Sequence, residues 1–592
     1  MIRPSSLLSR RDLDFLLHDW LDVESLTKRE RFADHSGETF GAVIDLCADI
    51  AAKRLAPHNK RNDTEEPQFV DGRVRMHAEV KEALDVIAAA GLVGAGMDAD
   101  VGGLQLPQVV QTACHAWFQA ANTSSWAYTF LTIASANLLL AHGTPEQIDT
   151  YVRPMIDGRF HGTMCLSEPQ AGSSLADITT RAEPQADGTY RVFGSKMWIS
   201  AGDHQLGENI VHLVLARIPG GPADVKGISL LIVPKFLVNA DGSLDARNDV
   251  VLAGLNHKMG FRGTTNALLN FGEGGGAVGY LVGEPNRGLG YMFHMMNEAR
   301  VGVGIGATAL GYTGYLKALG YARTRTQGRP PGAKNPELPQ SPLIEHADVR
   351  RMLLAQKSYA EGALALVLYC GKLIDEEHTA ATADDRAAAA MLLEVLTPIA
   401  KSWPSQWCLA ANDLAIQVHG GYGYTREYDV EQHYRDNRLN PIHEGTHGIQ
   451  GIDLLGRKVT MAGGAGLTAL ERTLRATIAR ATEGEAAELA TALDAALTRL
   501  VEVTATIQAA DTDQVTRLAN ASVYLEAAGH TVVAWIWLEQ FLATGSGDDA
   551  FRRGKRQAAR YFFRYELPRT GPQLDLLARL DRTTLDIDDS EF

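Results

Sequence analysis

The chain has 592 residues, of which 45% are hydrophobic and 21% charged, and carries a formal net charge of −15. It is too long for one ordinary domain and has a globular composition, and its acidic balance, with no basic stripe among aromatics, speaks against a nucleic-acid binder. Five scattered cysteines (Cys47, Cys114, Cys165, Cys370, Cys408) form no C-x-x-C pair, the N-terminus lacks the apolar core of a secretion signal, and no run of about 18 apolar residues predicts an integral membrane segment, so a reduced, cytoplasmic protein is expected.

In chain order, residues 1 to 160 read as helical, because Gly41–Arg54 and Met76–Ala90 place apolar residues at i, i+3 and i+4. Near Arg159 the texture changes to short β-rich runs bounded by Gly, Pro and Asp, namely Thr189–Gly194, Val211–Ala216 and Gly227–Val233. Ala186-Asp187-Gly188 predicts a hairpin turn. Strands end near Gly283, and from Gly288 long helical segments return, broken by a Pro- and Gly-rich loop from Gly328 to Pro342. Ala462-Gly463-Gly464-Ala465-Gly466 reads as a linker to an Ala/Leu/Glu-rich helical region over 467–560, and Asp586–Phe592 as a mobile acidic tail.

Two glycine patterns imitate a dinucleotide fold. Gly94-x-Gly96-x-x-Ala99 follows a helical run and Gly302-x-Gly304-x-x-Ala307 lies inside one, so neither has the strand–turn–helix setting; turns and close helix packing are expected instead. A third string, His443-Glu444-Gly445-Thr446-His447, has two incompatible meanings. As H-E-x-x-H it would be the zinc site of a hydrolase, with two histidines one helical turn apart and the glutamate as general base. Zinc ligation in that form needs a stable helix, which Pro441, Gly445 and Gly448 oppose, a mid-helix glycine costing about 1 kcal/mol relative to alanine. The extended form of the motif would also need Gly and His where Gln450 and Asp453 stand. The alternative is a loop that presents Glu444 as a single carboxylate base.

Two further segments stand out. Met164-Cys165-Leu166-Ser167-Glu168-Pro169-Gln170-Ala171-Gly172-Ser173-Ser174 opens the β-region with hydroxyls and glycines, suited to a polar ligand or to a surface turn. Lys196-Met197-Trp198-Ile199-Ser200-Ala201-Gly202 sets an indole among small residues, where it can pack on a flat cofactor or serve as a core Trp at a strand end. In order and spacing these segments resemble the T/S-E-P-x-A-G-S and K-x-W-I-S/T motifs of the acyl-CoA dehydrogenases. Tyr321–Gln327 resembles that family's Y-A-x-x-R-x-Q, Gln417–Tyr424 its Q-x-x-G-G-x-G-Y, and Tyr434-Arg435-Asp436 with Ile442–Thr446 its Y-R-D…I-Y-E-G-T. The resemblance covers roughly residues 40–460. The loop at 328–342 and the region past 460 are similar to the larger bacterial branch, which includes 3-methylmercaptopropionyl-CoA dehydrogenases and broad-range fatty acyl-CoA dehydrogenases and is usually dimeric.

The resemblance implies a mainly α protein with a central β-domain. Its parts would be a helical extension (1–36), an α-helical N-domain (37–160), a β-barrel-like middle domain (161–284), a four-helix-bundle catalytic domain (285–461) and an additional C-terminal helical domain (467–592). It also implies FAD, an acyl-CoA substrate oxidised to the trans-2-enoyl-CoA, electron-transfer flavoprotein as electron acceptor and a homodimer, with no metal. By position, FAD would be held by Met164, Leu166, Ser167, Gly172, Ser173, Trp198, Ser200, Arg325, Gln327, Gln417, Gly420, Gly421, Thr446 and His447. The substrate would meet Ser173, Arg262, Asn297, Arg300, His443 and Gly445, with Glu444 as the base. A carboxylate with its ordinary pKa of about 4.3 is a poor base toward a C–H bond; desolvation raises it, and hydrogen bonds to the thioester carbonyl acidify the Cα proton.

Some members carry the base immediately before an arginine on another helix; here Ala299 precedes Arg300, and Glu298 is one step, about 100°, around the helix. His443 stands where the family commonly has Tyr, implying either a packing substitution or a more polar, wider acyl pocket. A second possibility on the same fold is a flavoprotein without dehydrogenase activity that associates with DNA. It would show a basic C-terminal surface, for which Arg552-Arg553-Gly554-Lys555-Arg556 is the candidate stretch.

Overall fold

The computed structural model describes residues 6–332, 335 and 337–592, with only the backbone described over 293–298. Two compact units emerge. One comprises Ala42–Leu106 and Ala121–Ala299, the other Met1–Gly41, Pro107–Ala120 and Arg300–Phe592.

The first unit contains twelve strands among the described residues. They are β1 (Gln68–Val70), β2 (Arg73–Arg75), β3 (Phe160–Cys165), β4 (Arg181–Pro184), β5 (Tyr190–Ser200), β6 (Asn209–Arg217), β7 (Ile228–Pro234), β8 (Phe236–Val238), β9 (Leu244–Arg247), β10 (Val250–Leu255), β11 (Asn266–Phe271) and β12 (Ala277–Leu281). The main sheet runs β10-β11-β5-β12-β7-β6-β3, with β4 pairing both β5 and β6. Every pairing is antiparallel except those of β6 with β3 and β4. The expected turn at Ala186–Gly188 closes the β4–β5 hairpin, with Gln185 N–H donating to the Thr189 carbonyl at 2.8 Å.

Residues of β6 and β7 are buried almost without interruption, so both faces of these strands are covered. Alternation along the strand sends Val211, Leu213 and Leu215 into one apolar cluster, with Leu138 and Tyr151, and Val214 and Ala216 into another. The second cluster is completed by Val250, Leu252, Leu269 and Phe271 of β10 and β11, so the sheet curls over its own core. The β1–β2 hairpin, absent from the sequence expectation, turns on Asp71 (φ 53°) and Gly72 (φ 74°).

In the second unit the helices Ala347–Thr379 and Ala383–His419 form the central pair. Pro404 has no N–H to offer the Ala400 carbonyl. A Cβ at Gly304 would collide with that oxygen, and one at Gly311 would stand 2.5 Å from Cys408 Cβ. Gly302-x-Gly304-x-x-Ala307 is thus helix packing, as expected, within helix Gly288–Thr324. Past residue 460 come helices Met461–Arg480, Gly484–Ala509, Ala521–Ala543, Ala550–Tyr561 and Thr570–Ala578. The break expected at 462–466 is present: Ala462, Gly463 and Gly464 take left-handed φ of 49°, 70° and 94°, outside helical geometry, before the helix to Arg480 runs on. The C-terminal residues end in a short capped turn, Asp589–Glu591.

The C-terminal helices are packed into the pair. A Cβ at Gly529 would lie 2.6 Å from Trp403, and Trp537 Nε1 donates to the Ser358 carbonyl at 3.1 Å. Lys555, wholly buried, pairs with Asp12 near the N-terminus and, at 2.9 Å, with Glu361. Tyr312 Oη donates to Asp12 at 2.8 Å. The basic run 552–556 is neutralised in place: Arg552 pairs with Asp549 and Asp19, Arg553 and Arg556 with Asp548, and Lys555 as above. A basic surface for DNA is therefore not formed by this stretch.

Candidate active site

The expected site residues fall into three groups. In the β-unit, Met164 lies on β3, and the segment after it folds over β5. Lys196 Nζ donates to the Leu166 carbonyl at 2.9 Å, and Met197 N–H donates to the Ser167 carbonyl at 3.0 Å. Thr163 Oγ1 donates to the Ser200 carbonyl at 2.8 Å, and the Ser200 hydroxyl accepts from Asn266 Nδ2 at 3.3 Å. Glu168 is the hinge pin of this arrangement. It is buried, pairs with the fully buried Lys196 at 2.9 Å, and accepts the Thr179 and Thr180 N–H groups at 2.7 and 3.0 Å. Burial pushes its carboxyl up, but Lys196 and these donors more than offset that and hold it at about 2.

Trp198 is not a core residue. Register slips between β5 and β11 where Met197 and Trp198 oppose Leu268, a bulge that gives Trp198 φ 66° and leaves it 59% exposed. A large residue held in the left-handed region costs about 1–3 kcal/mol, and such residues cluster at functional sites. Gly172 and Ser173 follow in the exposed loop, and nothing lies within 4 Å of a Cβ built on Gly172. Arg262 stands apart from this group, donating to the carbonyls of Lys258 at 3.0 Å and Asp63 at 3.4 Å.

The second group is in the helical unit. Arg325 lies 5.7 Å over the Tyr422 ring, and Tyr321 stacks on His419 at 4.3 Å, joining the ends of two helices. Gln327 is held through its backbone by Ser341 and His346. Gln417 lies in the last turn of helix Ala383–His419, just before Gly420 and Gly421, where a Cβ would again meet nothing within 4 Å.

The third group is the loop around Glu444. Val430–Asn437 is helical, Pro441 follows, and Glu444 and Gly445 take φ of 53° and 90°. A Cβ at Gly445 would strike Gln450 Nε2, so glycine is required there twice over. Gln450 donates to the Glu444 carbonyl at 3.0 Å, and Thr446 caps the short helix His447–Asp453. Burial raises the Glu444 pKa, while Lys401 and Arg300 pull it back. Arg300, 4% exposed, pairs with Asp453 at 3.0 Å and leaves its Nε without a partner among the described residues. His443 Nε2 meets Asn440 Oδ1 at 3.0 Å; burial, then Lys401, lowers its pKa to about 3. His447 is held to about 4 in the same way, and its Nδ1 is buried without a partner among the described residues. The side chains of Asn297 and Glu298 lie outside the described residues.

This geometry overturns helical zinc ligation, because the helix begins only at His447 and Glu444 sits in the left-handed region. It also brings in Lys401 and Gln450, which the motifs did not include. Lys401 has a signal in hindsight, as a lone lysine in the apolar run Leu396-Thr397-Pro398-Ile399-Ala400. In the β-unit, an exposed left-handed indole and the open backbone at Gly172 are what a flat, polyhydroxylated cofactor such as FAD would engage.

Four family models match in order: "Acyl-CoA dehydrogenase, N-terminal domain" over 38–159, its "middle domain" over 163–272, its "C-terminal domain" over 286–460, and "Acetyl-CoA dehydrogenase C-terminal like" over 470–588. The chain belongs to the acyl-CoA dehydrogenase family and is an FAD-dependent oxidoreductase acting on acyl-CoA. It is similar to 3-methylmercaptopropionyl-CoA dehydrogenase of Ruegeria pomeroyi, 36% identical over 572 residues, covering 93% of this chain and 94% of that protein. It is also similar to the broad-specificity linear acyl-CoA dehydrogenase FadE5 of Mycobacterium tuberculosis, 32% identical and covering 98% and 99% of the two chains. The solved acyl-CoA dehydrogenase complexed with FAD from Bacillus anthracis superposes with a TM-score of 0.75 over 98% of this chain and 93% of that one; at 18% identity this likeness shows the fold, a mainly helical protein with a central β-region and an added helical C-terminus.

Proposed function

We propose that Glu444 removes the Cα proton of a fatty acyl-CoA thioester, yielding the trans-2-enoyl-CoA. The supporting observation is a desolvated carboxylate with a raised pKa, in a loop pinned at its carbonyls and shaped by Gly445. Desolvation makes Glu444 a stronger base toward a C–H proton, and Lys401 and Arg300 act against that rise. When bound, FAD supplies the acceptor for the Cβ hydride. The residues we propose to hold it, by their positions in the family's motifs, are Met164, Leu166, Ser167, Gly172, Ser173, Trp198, Ser200, Arg325, Gln327, Gln417, Gly420, Gly421, Thr446 and His447. Ser173, Arg262, Asn297, Arg300, His443 and Gly445 would meet the substrate. The names of the two relatives span thioether and linear acyl groups, so the acyl class is sought among both.

We further propose a homodimer in the cytoplasm that passes electrons to an electron-transfer flavoprotein; among the described residues no helix is long and apolar enough to cross a membrane. The test is anaerobic bleaching of the bound flavin by a panel of straight, branched, thioether and aromatic acyl-CoAs. Glu444→Gln should keep flavin and substrate binding while bleaching about 10²–10⁴-fold more slowly. Colourless protein carrying stoichiometric zinc would overturn the assignment.

A further inference from the structure

Lys401 has no exposed surface. Its ammonium donates to the Asn440 carbonyl at 2.8 Å and the Gly445 carbonyl at 2.7 Å, the two ends of the turn that contains Glu444. Among the described residues it has no carboxylate in ion-pair contact. The neighbouring buried cations have theirs, Arg300 with Asp453 and Lys458 with Glu394. The acid whose charge Lys401 feels is Glu444, and the first cation that Glu444 feels is Lys401. A buried ammonium is costly unless its donors and its charge are both answered. Here two donors are answered by the loop and the charge by the base.

We propose that Lys401 is a positioning residue for the base: it ties both ends of the Glu444 turn to helix Ala383–His419 and stabilises the ionised carboxylate. This rests on Glu444 being the base. The charges that act on Glu444 are Lys401 and Arg300 from the two long helices, Arg300 paired with Asp453. Lys458, which Arg300 feels in turn, is paired with Glu394, and the flanking His443 and His447 are kept neutral by burial above about pH 5. Lys401 itself is lowered to about 7, by burial against the pull of Glu444.

The test compares holoenzymes carrying Lys401→Gln, Lys401→Met and Glu444→Gln with the wild type. Gln keeps N–H donors for the carbonyls without the charge, whereas Met removes both. Two readouts are taken: the acid limb of kcat/KM, and the Glu444 carboxylate band in wild-type-minus-E444Q difference infrared spectra titrated with pH. Losing the cation should move limb and band to higher pH, by about one unit. K401M should lower kcat by about 10–100-fold with little change in KM, and K401Q should recover most of it at high pH while keeping the shifted limb. If K401M loses its flavin, the band and limb of K401Q decide. An unmoved band and limb in K401Q, with E444Q inactive, overturn the role of Lys401 alone. Wild-type turnover by E444Q overturns the base and this proposal together.

Discussion

Gly451 lies against the carbonyl of Ala521, and a Cβ added to the glycine would stand 2.6 Å from that oxygen. The short helix His447–Asp453 is thereby pressed onto the first turn of helix Ala521–Ala543. Gln450, one residue earlier, holds the Glu444 carbonyl. The added C-terminal helices thus bear on the base loop at Gly451. Gly451→Ala should cost about 1–3 kcal/mol by overpacking and slow flavin bleaching while flavin content is kept. Thermal melting and stopped-flow absorbance would check both parts.

Activity should rise with pH through a pKa above the usual glutamate value. The ionised form of Glu444 is the reactive one, and burial raises the pH at which it forms. Below that pH the carboxyl is protonated and kcat/KM falls about tenfold per unit. His443 and His447, held at about 3 and 4, should add no inflection above pH 5, whereas Lys401, lowered to about 7, should add a second one as its charge is lost. A kcat/KM profile from pH 5 to 9 reads the limb directly, and its loss in Glu444→Gln assigns it.

Breaking the Glu168–Lys196 pair from one side leaves a buried ammonium unanswered. Glu168→Ala should cost about 3–5 kcal/mol and release the 166–173 segment, so flavin should wash out on desalting. Restoring neutrality with Glu168→Met and Lys196→Met together should recover much of the melting temperature. It should not recover flavin retention, because the Leu166 carbonyl and the Thr179 and Thr180 N–H groups still lack their partners.

His443 is tied to Asn440, within its own loop, and is neutral. Replacing it with Tyr should narrow the acyl pocket and change the ratio of bleaching rates between thioether or branched and straight acyl-CoAs by about 10-fold, with the straight chain least affected. An unchanged ratio would leave His443 a packing substitution.

What could be read in the chain beforehand were segments whose conformation is dictated locally. Gly445 and Pro441 spoke against a helix at Glu444, and the loop is there, with Gly445 at φ 90°. Lys401 and Gln450 were not legible as parts of that loop, because which buried donor meets which carbonyl is settled only when helices pack. Trp198 was ambiguous for a related reason: strand composition does not reveal that a bulge turns the indole outward. The hairpin at Asp71-Gly72 escaped because its strands are three residues each, too short for alternation to show. Residues 462–464 were legible for a local reason again: Gly463 and Gly464 tolerate the left-handed φ that interrupts the helical backbone there.

Lys555 joins Asp12, Glu361 and Gln540, drawing the helix Arg10–Asp14 and the last helices onto one buried charge cluster. Cutting the chain after 460, where the family models change, would leave Asp12 buried without Lys555, whereas cutting before 38 would leave Lys555 with Glu361 and Gln540. The two ends are therefore not equally dispensable: a piece ending at 460 should lose more solubility and melting temperature than one beginning at 38.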